Sequence, residues 1–111
     1  MDLSSIDISA AGMRVQRKRM DLIAANIANV DSVSERRGED AVRPEPVRRQ
    51  VATIFRGADG LPTLRVTASA SAVDPMVEMV DLILASRAYE ANLTAVEVAK
   101  SMHQSALRIL G

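Results

Sequence analysis

Two apolar stripes run along residues 74–110, and this pattern constrains the fold more than any other feature of the sequence. Both stripes repeat at spacings of three and four residues, the period of an α-helix. Asp74 can cap such a helix at its start, and Pro75 suits its first position. A helix that is apolar on two sides needs two neighbours, so we predict full burial only when several copies of the chain pack together. The first stripe comprises Met79, Leu82, Ser86, Tyr89, Leu93, Val96, Lys100, His103, Leu107 and Leu110, and the second comprises Val77, Val80, Leu84, Ala88, Ala91, Ala95, Val98, Met102, Ala106 and Ile109.

The N-terminal segment, residues 1–30, has a helical pattern of its own. Ser4 and Asp7 fit a capping box at its start, and Asn29 with the polar residues behind it predicts its end. The period is the one expected for helices that pack nearly parallel to a neighbour. The seam comprises Leu3, Ile6, Ala10, Met13, Arg17, Met20, Ala24 and Ile27, and one of these residues is not apolar.

Residues 31–74, between the two helical segments, predict a small β-hairpin. A charged linker punctuated by proline comes first. Residues 47–55 and 64–68 then follow a period of two, and the glycine-containing run 57–60 between them is a turn signal. Residues 68–73 are small and weakly patterned, which indicates a connector. The predicted fold class is therefore mainly α, with residues 1–30 and 75–111 as helices and a small β-hairpin insert between them.

Composition narrows the range of functions. The net charge is zero, with 14 basic and 14 acidic residues, which argues against nucleic-acid binding. The chain has no cysteine for disulfides or thiolate metal sites, and no stretch approaches the roughly 20 apolar residues that span a bilayer. The first twelve residues lack the basic and apolar regions of a cleavable secretion signal. A destination outside the cytoplasm would therefore require another export route.

No arrangement of polar residues indicates catalysis. His103 is the single histidine, without a second ligand nearby, so we interpret it as a seam or surface residue. Glu39 and Asp40 lie in the polar linker, where paired carboxylates suggest no acid–base chemistry. A basic cluster at residues 14–19 has no interleaved aromatic side chains for base stacking, so a solvated face or ion pairs with the second helix are the preferred interpretations. We predict no enzyme activity, no metal and no cofactor.

Each end of the chain carries a distinctive motif. At the N-terminal end it comprises residues 12–14 and 22–32, where a helix closes on the run AANIANVDS. At the C-terminal end it comprises residues 78–92, EMVDLILASRAYEAN, and the following AKSM and final ILG. This pair of motifs at opposite ends specifically resembles the flagellar rod and hook proteins, and the second motif is most similar to the proximal-rod member of that family. Two departures are a shorter middle segment and the stretch ASASAVDP before the last helix.

The resemblance implies a fold, a route and a set of partners. Family members pair their terminal helices as an antiparallel, coiled-coil-like domain that lines a helical tube. They leave the cytoplasm uncleaved through the flagellar type III export apparatus and assemble in the periplasmic rod of the basal body. The implied partners are copies of the chain, other rod proteins, and the membrane-ring or rod-adaptor and distal-rod subunits. The tube transmits torque and provides the export channel.

The residues predicted to form the assembly interface come from both motifs. For Asn26 the alternatives are a hydrogen bond to a neighbouring subunit and service of the helix end, whereas Asn29 is assigned to the helix end. Arg87 is expected to pair with a carboxylate of a neighbour, and Tyr89 to be buried with its hydroxyl group hydrogen-bonded; ordinary seam and surface roles are the alternatives. The full interface prediction is Ile6, Met13, Met20, Asn26, Ile27, Asn29, Met79, Leu82, Ser86, Arg87, Tyr89, Asn92, Leu93 and Val96.

A second class of protein shares the heptad pattern. A soluble coiled-coil adaptor, such as an export chaperone or regulator, would fold as a discrete dimer and stay in the cytoplasm. The hairpin between the two helices speaks against it. The primary prediction is therefore a structural subunit of the proximal rod.

Overall fold

The computed structural model describes residues 4–36 and 48–111, which form two long helices joined through a β-hairpin. Helix α1 spans Ser5–Arg36, and helix α2 spans Pro75–Leu110. Strands β1, Arg48–Arg56, and β2, Pro62–Ala72, pair antiparallel between them. The predicted fold class, a mainly α helix pair with a small β-hairpin insert, is confirmed.

Both helices begin where the sequence places their caps. The Asp7 backbone N–H donates to Ser4 Oγ at 3.1 Å, and the Ser4 hydroxyl donates to the Asp7 carboxylate at 3.0 Å. At the start of α2, Asp74 Oδ1 accepts a hydrogen bond of 3.0 Å from the Met76 N–H, and Pro75 occupies the first turn. These side chains satisfy N–H groups that have no partner within their own helix.

The predicted end of α1 near Asn29 is wrong, because the helix continues to Arg36. No glycine or proline occurs between residues 13 and 37 to interrupt it. The lower helix propensity of Asn, Asp and Ser costs only about 0.5 kcal/mol per residue, too little to end a helix that has tertiary contacts. Asn29 therefore lies within the helix, and its assignment as a helix-end residue is also wrong. The charged linker was predicted over residues 34–46; this is wrong for residues 34–36, which belong to α1, and residues 37–46 lie outside the described residues.

The hairpin has the predicted turn at residues 57–60. The Gly57 N–H donates to the Leu61 carbonyl at 2.9 Å, and Gly60 adopts a φ of 82°, a conformation that favours glycine. The connector predicted at residues 68–73 is wrong, because β2 continues to Ala72. Ala72 pairs with Arg48 across an irregularity in which residues 69–71 of β2 face Arg49 of β1, so the ladder extends through residues of weak strand propensity.

The two helices pack antiparallel, with Gly12 of α1 opposite Asn92 of α2. The hairpin packs against α1. The molecule measures 73 × 25 × 17 Å, and its radius of gyration is 19.4 Å, against about 13 Å for a compact chain of this length. The shape is a flat rod with a thin core. The buried apolar residues are Ala11, Val15, Ile23, Ala85 and Val96.

The buried row of α1 differs from the predicted seam. Within that seam Arg17 and Ala24 are exposed, and Ile6, Met13, Met20 and Ile27 are half-buried. The physical reason is that α2 and the hairpin contact α1 on neighbouring faces, so the most buried line falls between the two contacts. The residues of that line are Ala11, Val15, Ile23 and Asn26.

Candidate assembly surface

An ion-pair cluster ties the hairpin to the start of α2. Arg49 of β1 donates from Nε to Glu78 Oε1, and its Nη2 lies 2.5 Å from Asp81 Oδ2. Glu78 is fully buried, whereas the side chains of Arg49 and Asp81 are each 25% exposed. A buried carboxylate is stable only beside a cation, so this contact fixes where β1 can lie on the helix pair.

A second tie joins the hairpin to α1. Asn26, which is 2% exposed, donates from Nδ2 to the Gln50 carbonyl at 2.9 Å and accepts at Oδ1 from the Gln50 N–H at 3.2 Å. The amide side chain thus occupies both outward-facing backbone groups of one β1 residue, as a further strand would. An edge strand otherwise presents such groups unpaired.

A small cavity lies between the two ties. Its volume is about 70 Å³, and Arg19, Ile23, Arg49, Glu78 and Asp81 contribute to its wall. Glu78 Oε2 has no hydrogen-bond partner in the described part of the chain, although it is buried. The cluster therefore fixes the position of β1 through a fully buried carboxylate, while Arg49 and Asp81 remain partly exposed.

In contrast to these polar contacts, α2 exposes many large apolar side chains. Of the 16 large hydrophobic residues that are exposed in the described ranges, the 12 on α2 are Met76, Val77, Met79, Val80, Ile83, Leu84, Leu93, Val98, Met102, Leu107, Ile109 and Leu110. They include every Val, Leu, Ile and Met of the second predicted stripe. At 100° per residue, Leu93, Leu107 and Leu110 fall toward the side of buried Val96, and the other nine form the outer face. An apolar face this long on a single helix is a surface for another protein.

The last part of α2 also extends beyond α1. In this antiparallel pair the residue numbers of opposed positions have a nearly constant sum, which is 104 for Gly12 and Asn92. The first described residues of α1 therefore lie beside about residue 100 of α2. All residues from Ser101 to Gly111 are exposed, and Leu110 reaches 86%. This end of the helix lacks a neighbour among the described residues of its own chain.

The predicted interface residues divide by exposure. Met79, Arg87 and Leu93 are exposed and free to meet another subunit, and Asn29 is exposed on α1. Val96 is buried against α1 and cannot also contact a neighbour without rearrangement. The half-buried members are Ile6, Met13, Met20, Ile27, Leu82, Ser86, Tyr89 and Asn92.

The expectations for three of these residues need correction or completion. The inter-subunit hydrogen bond considered for Asn26 is wrong, because its amide is buried and bonded to Gln50 within the chain. Tyr89 is half-buried, and its hydroxyl forms no hydrogen bond with the described residues of its own chain, so its burial and hydrogen bond in a contact between subunits stay a prediction. Arg87 is exposed and has no ion pair in the described ranges.

The structure assigns roles to residues that sequence reasoning left without one. Arg49, Glu78 and Asp81 form the ion-pair cluster, and Gly12 leaves room for Asn92. A Cβ atom at Gly12 would lie 2.9 Å from Asn92 Nδ2, so only glycine permits this approach without movement. Two features of the sequence could have indicated the ion-pair cluster. Arg49 stands within an alternating strand, and Glu78 and Asp81 stand three residues apart on an otherwise apolar helix.

No group of three or more His, Asp or Glu side chains in residues 4–36 and 48–111 is placed to hold a metal ion. Neither described helix contains a segment long and apolar enough to cross a membrane.

Comparison with known proteins identifies both ends of the chain. A family model described as "Flagella basal body rod protein" matches residues 6–34. A second, described as "Flagellar basal body rod FlgEFG protein C-terminal", matches residues 67–109. The matched ranges contain α1 almost completely and nearly all of α2.

Relatives along nearly the whole chain carry one name, flagellar basal-body rod protein FlgC. The protein of Aquifex aeolicus is 32% identical, with 94% of each chain covered, and that of Borreliella burgdorferi is 32% identical, with 96% of each covered. The Bacillus subtilis protein is 27% identical over 95% of each. Because 94% of 111 residues is about 104, the 127-position alignment with the Aquifex protein leaves about 23 positions at which this chain has no residue.

These matches favour the rod prediction over a soluble adaptor or an export chaperone. Similarity at both ends and along nearly the whole length agrees with the helix pair and its exposed apolar surface. The chain belongs to the flagellar basal-body rod proteins and is a structural, FlgC-like subunit of the rod.

Proposed function

We propose that this rod subunit assembles through the outer side of α2, in a tube that transmits torque and surrounds the export channel. The observation that supports this most directly is the exposed second stripe of α2, on which Val80, Leu84 and Met102 are all more than half exposed. Full burial of such a side chain stabilises a protein by about 1.5 to 3 kcal/mol. A single copy of the described chain does not bury these side chains, so this stabilisation is available only on assembly.

The ties inside the subunit suit the transmission of torque. Arg49 and Asn26 attach the hairpin to both helices at defined atoms, so that the three elements move together. The elongated shape gives each subunit a long flank for contact with its neighbours. We propose that residues 1–30 and 75–111 form the assembly unit and residues 31–74 an insert.

The partners and route follow from the family. We propose that the neighbours are copies of this chain, other rod proteins, and the membrane-ring or rod-adaptor and distal-rod subunits. The proposed location is the periplasmic part of the basal body, reached through the flagellar type III apparatus without a cleaved signal. The predicted interface residues Met79, Leu93 and Arg87 are exposed and remain candidates for these contacts.

The proposal is tested by polar substitutions on the stripe. Cells that lack the native copy would receive a tagged full-length chain carrying Leu84→Asp with Met102→Asp. Gln104→Asp, an exposed polar position on the same helix, is the matched control. We expect the control to support motility and to enter isolated basal bodies, and the double variant to do neither. Full motility of the double variant would contradict the proposal.

A further inference from the structure

The outer face of α1 carries five exposed charges. From the N-terminus they are acidic, basic, basic, basic and acidic: Asp7, Arg14, Arg17, Lys18 and Asp21. At 100° per residue they fall within an arc of about 100°, on the side of α1 opposite Gly12 and hence opposite α2, and Arg17 lies at one edge of that arc. None of them forms an ion pair in the described part of the chain.

When helix α2 is read backwards, it carries the complement of four of these charges, all except Arg17. From its C-terminal side four exposed residues are basic, acidic, acidic and basic: Lys100, Glu97, Glu90 and Arg87. Glu97, Glu90 and Arg87 lie on the side of α2 turned away from buried Ala85, whereas Lys100 lies about 60° from Ala85, at the edge of the side that faces α1. The four residues span an arc of about 140°. They too lack ion pairs within the described ranges.

From this match we propose that the outer face of α1 docks antiparallel on the outer face of α2 in a second copy of this chain. Opposed residues of antiparallel helices have numbers with a nearly constant sum. The four opposite-charge pairs give sums of 107 to 111, close enough for long side chains to reach one another. The pairs are Asp7 with Lys100, Arg14 with Glu97, Lys18 with Glu90, and Asp21 with Arg87.

The same register also matches side-chain size. At a sum of 108, exposed Ala25 faces Ile83 and exposed Ala28 faces Val80, and both of these α2 side chains are 54% exposed. Small residues opposite large ones permit close approach of two helices. The apolar contacts would supply most of the affinity, whereas the charges, each weak when exposed, would select the register.

The occupant is a second copy because both halves of the pattern lie on one chain. The residue numbers of opposed positions sum to 104 within the subunit, at Gly12 and Asn92, and to 108 in the proposed contact. The α2 of the second copy is therefore displaced, relative to α2 of the same chain, by about four residues, or roughly 6 Å along the helix axis. Different faces meet, so the contact is heterologous and can continue from copy to copy. The inference rests on the proposed function and adds to it the contacting faces, their register and a partner for Arg87.

Cross-linking tests the register directly, because the chain has no cysteine. Cells would express two tagged full-length copies, one with Lys18→Cys and one with Glu90→Cys, and isolated basal bodies would be treated with a short bis-maleimide. The matched control replaces Glu90→Cys by Glu97→Cys, about 10 Å away along the helix. We expect at least about fivefold more heterodimer from the first pair. Equal yields, or cross-links only to a different rod protein, would overturn the proposal.

Charge reversal gives an independent measurement. Lys18→Glu should lower the amount of chain in basal bodies about tenfold, and Glu90→Lys in the same chain should restore it to within about twofold. Arg56→Glu, an exposed reversal on the hairpin, is the control and should change little. Equal losses for the single and double variants would overturn the register. Absence of the unsubstituted chain from basal bodies would defeat the proposed function as well, whereas its presence without the preferred cross-link defeats only this inference.

Discussion

The hairpin side of the molecule and the outer side of α2 are built in contrasting ways. Where the hairpin meets the helices, the contacts are polar and pairwise: Arg49 with Glu78 and Asp81, and Asn26 with Gln50. The outer side of α2 exposes a long row of apolar side chains, with only a few charged residues among them, and has no neighbour in the described ranges. Polar contacts need exact partners, whereas an apolar face accepts any surface that covers it. The subunit therefore fixes its own shape through polar groups and keeps its apolar surface for assembly.

Removal of the buried cation should produce the largest change in stability. Arg49→Ala leaves Glu78 buried without its partner, and we expect a loss of about 3 kcal/mol in the free energy of unfolding. Urea denaturation of the full chain measures this value. Replacement of both partners, Arg49→Met with Glu78→Leu, should restore most of the loss, because no buried charge remains. Arg48→Ala is the exposed control, and an equal loss there would contradict the account.

The amide tie should have an intermediate effect. Asn26→Ala leaves both outward-facing backbone groups of Gln50 without their partner, and we expect destabilisation by about 2 kcal/mol. Hydrogen exchange of the Gln50 N–H should accelerate in the variant, since this group donates to Asn26 Oδ1. Unchanged exchange at that amide would show that the tie does not hold β1.

Substitution at Gly12, where the two helices approach closely, should change the free energy of unfolding by a smaller amount that depends on the residue at position 92. Alanine is favoured over glycine in a helix by about 1 kcal/mol, but a Cβ at residue 12 would press on Asn92. We expect Gly12→Ala to stabilise by about 1 kcal/mol when Asn92→Ala is also present, and to gain nothing in the unsubstituted chain. A double-mutant cycle with no coupling between the two positions would remove the basis for this contact.

The outer face should show the smallest effect on folding. Met102→Ser changes a side chain that is 67% exposed, and surface changes of this kind usually alter stability by less than about 0.5 kcal/mol. Basal-body incorporation should nevertheless fall, which separates this region from the hairpin side. A large drop in the melting temperature of the isolated chain would mean that the face is already covered within the subunit.

Local signals in the sequence predicted the parts of the fold that depend on neighbouring residues. The caps at Ser4 and Asp74 and the turn at residues 57–60 involve partners no more than four residues away, so composition and spacing reveal them. The terminal motifs indicated the family, and the two stripes of α2 indicated a need for further neighbours.

The contacts that set the arrangement could not be predicted in the same way. Asn26 and Gln50 are 24 residues apart, and Arg49 and Asp81 are 32 apart, so spacing alone cannot pair them. The predicted seam of α1 was also displaced, because the sequence does not reveal that the hairpin and α2 would contact adjacent faces. Nor does propensity place the end of α1, since Asn29 is compatible with a helix interior.

The antiparallel course of the helices has a practical consequence for labelling. The first turn of α1 and the last turn of α2 lie at one pole of the subunit, where exposed Ile109 and Leu110 extend past α1. A fluorescent protein fused at either of these turns would crowd the same pole. The bend between the strands lies near the same pole, because Gly60 and Pro62 line one cavity with Ile8 of α1, so an epitope inserted at exposed Ala58 and Asp59 would crowd these turns as well.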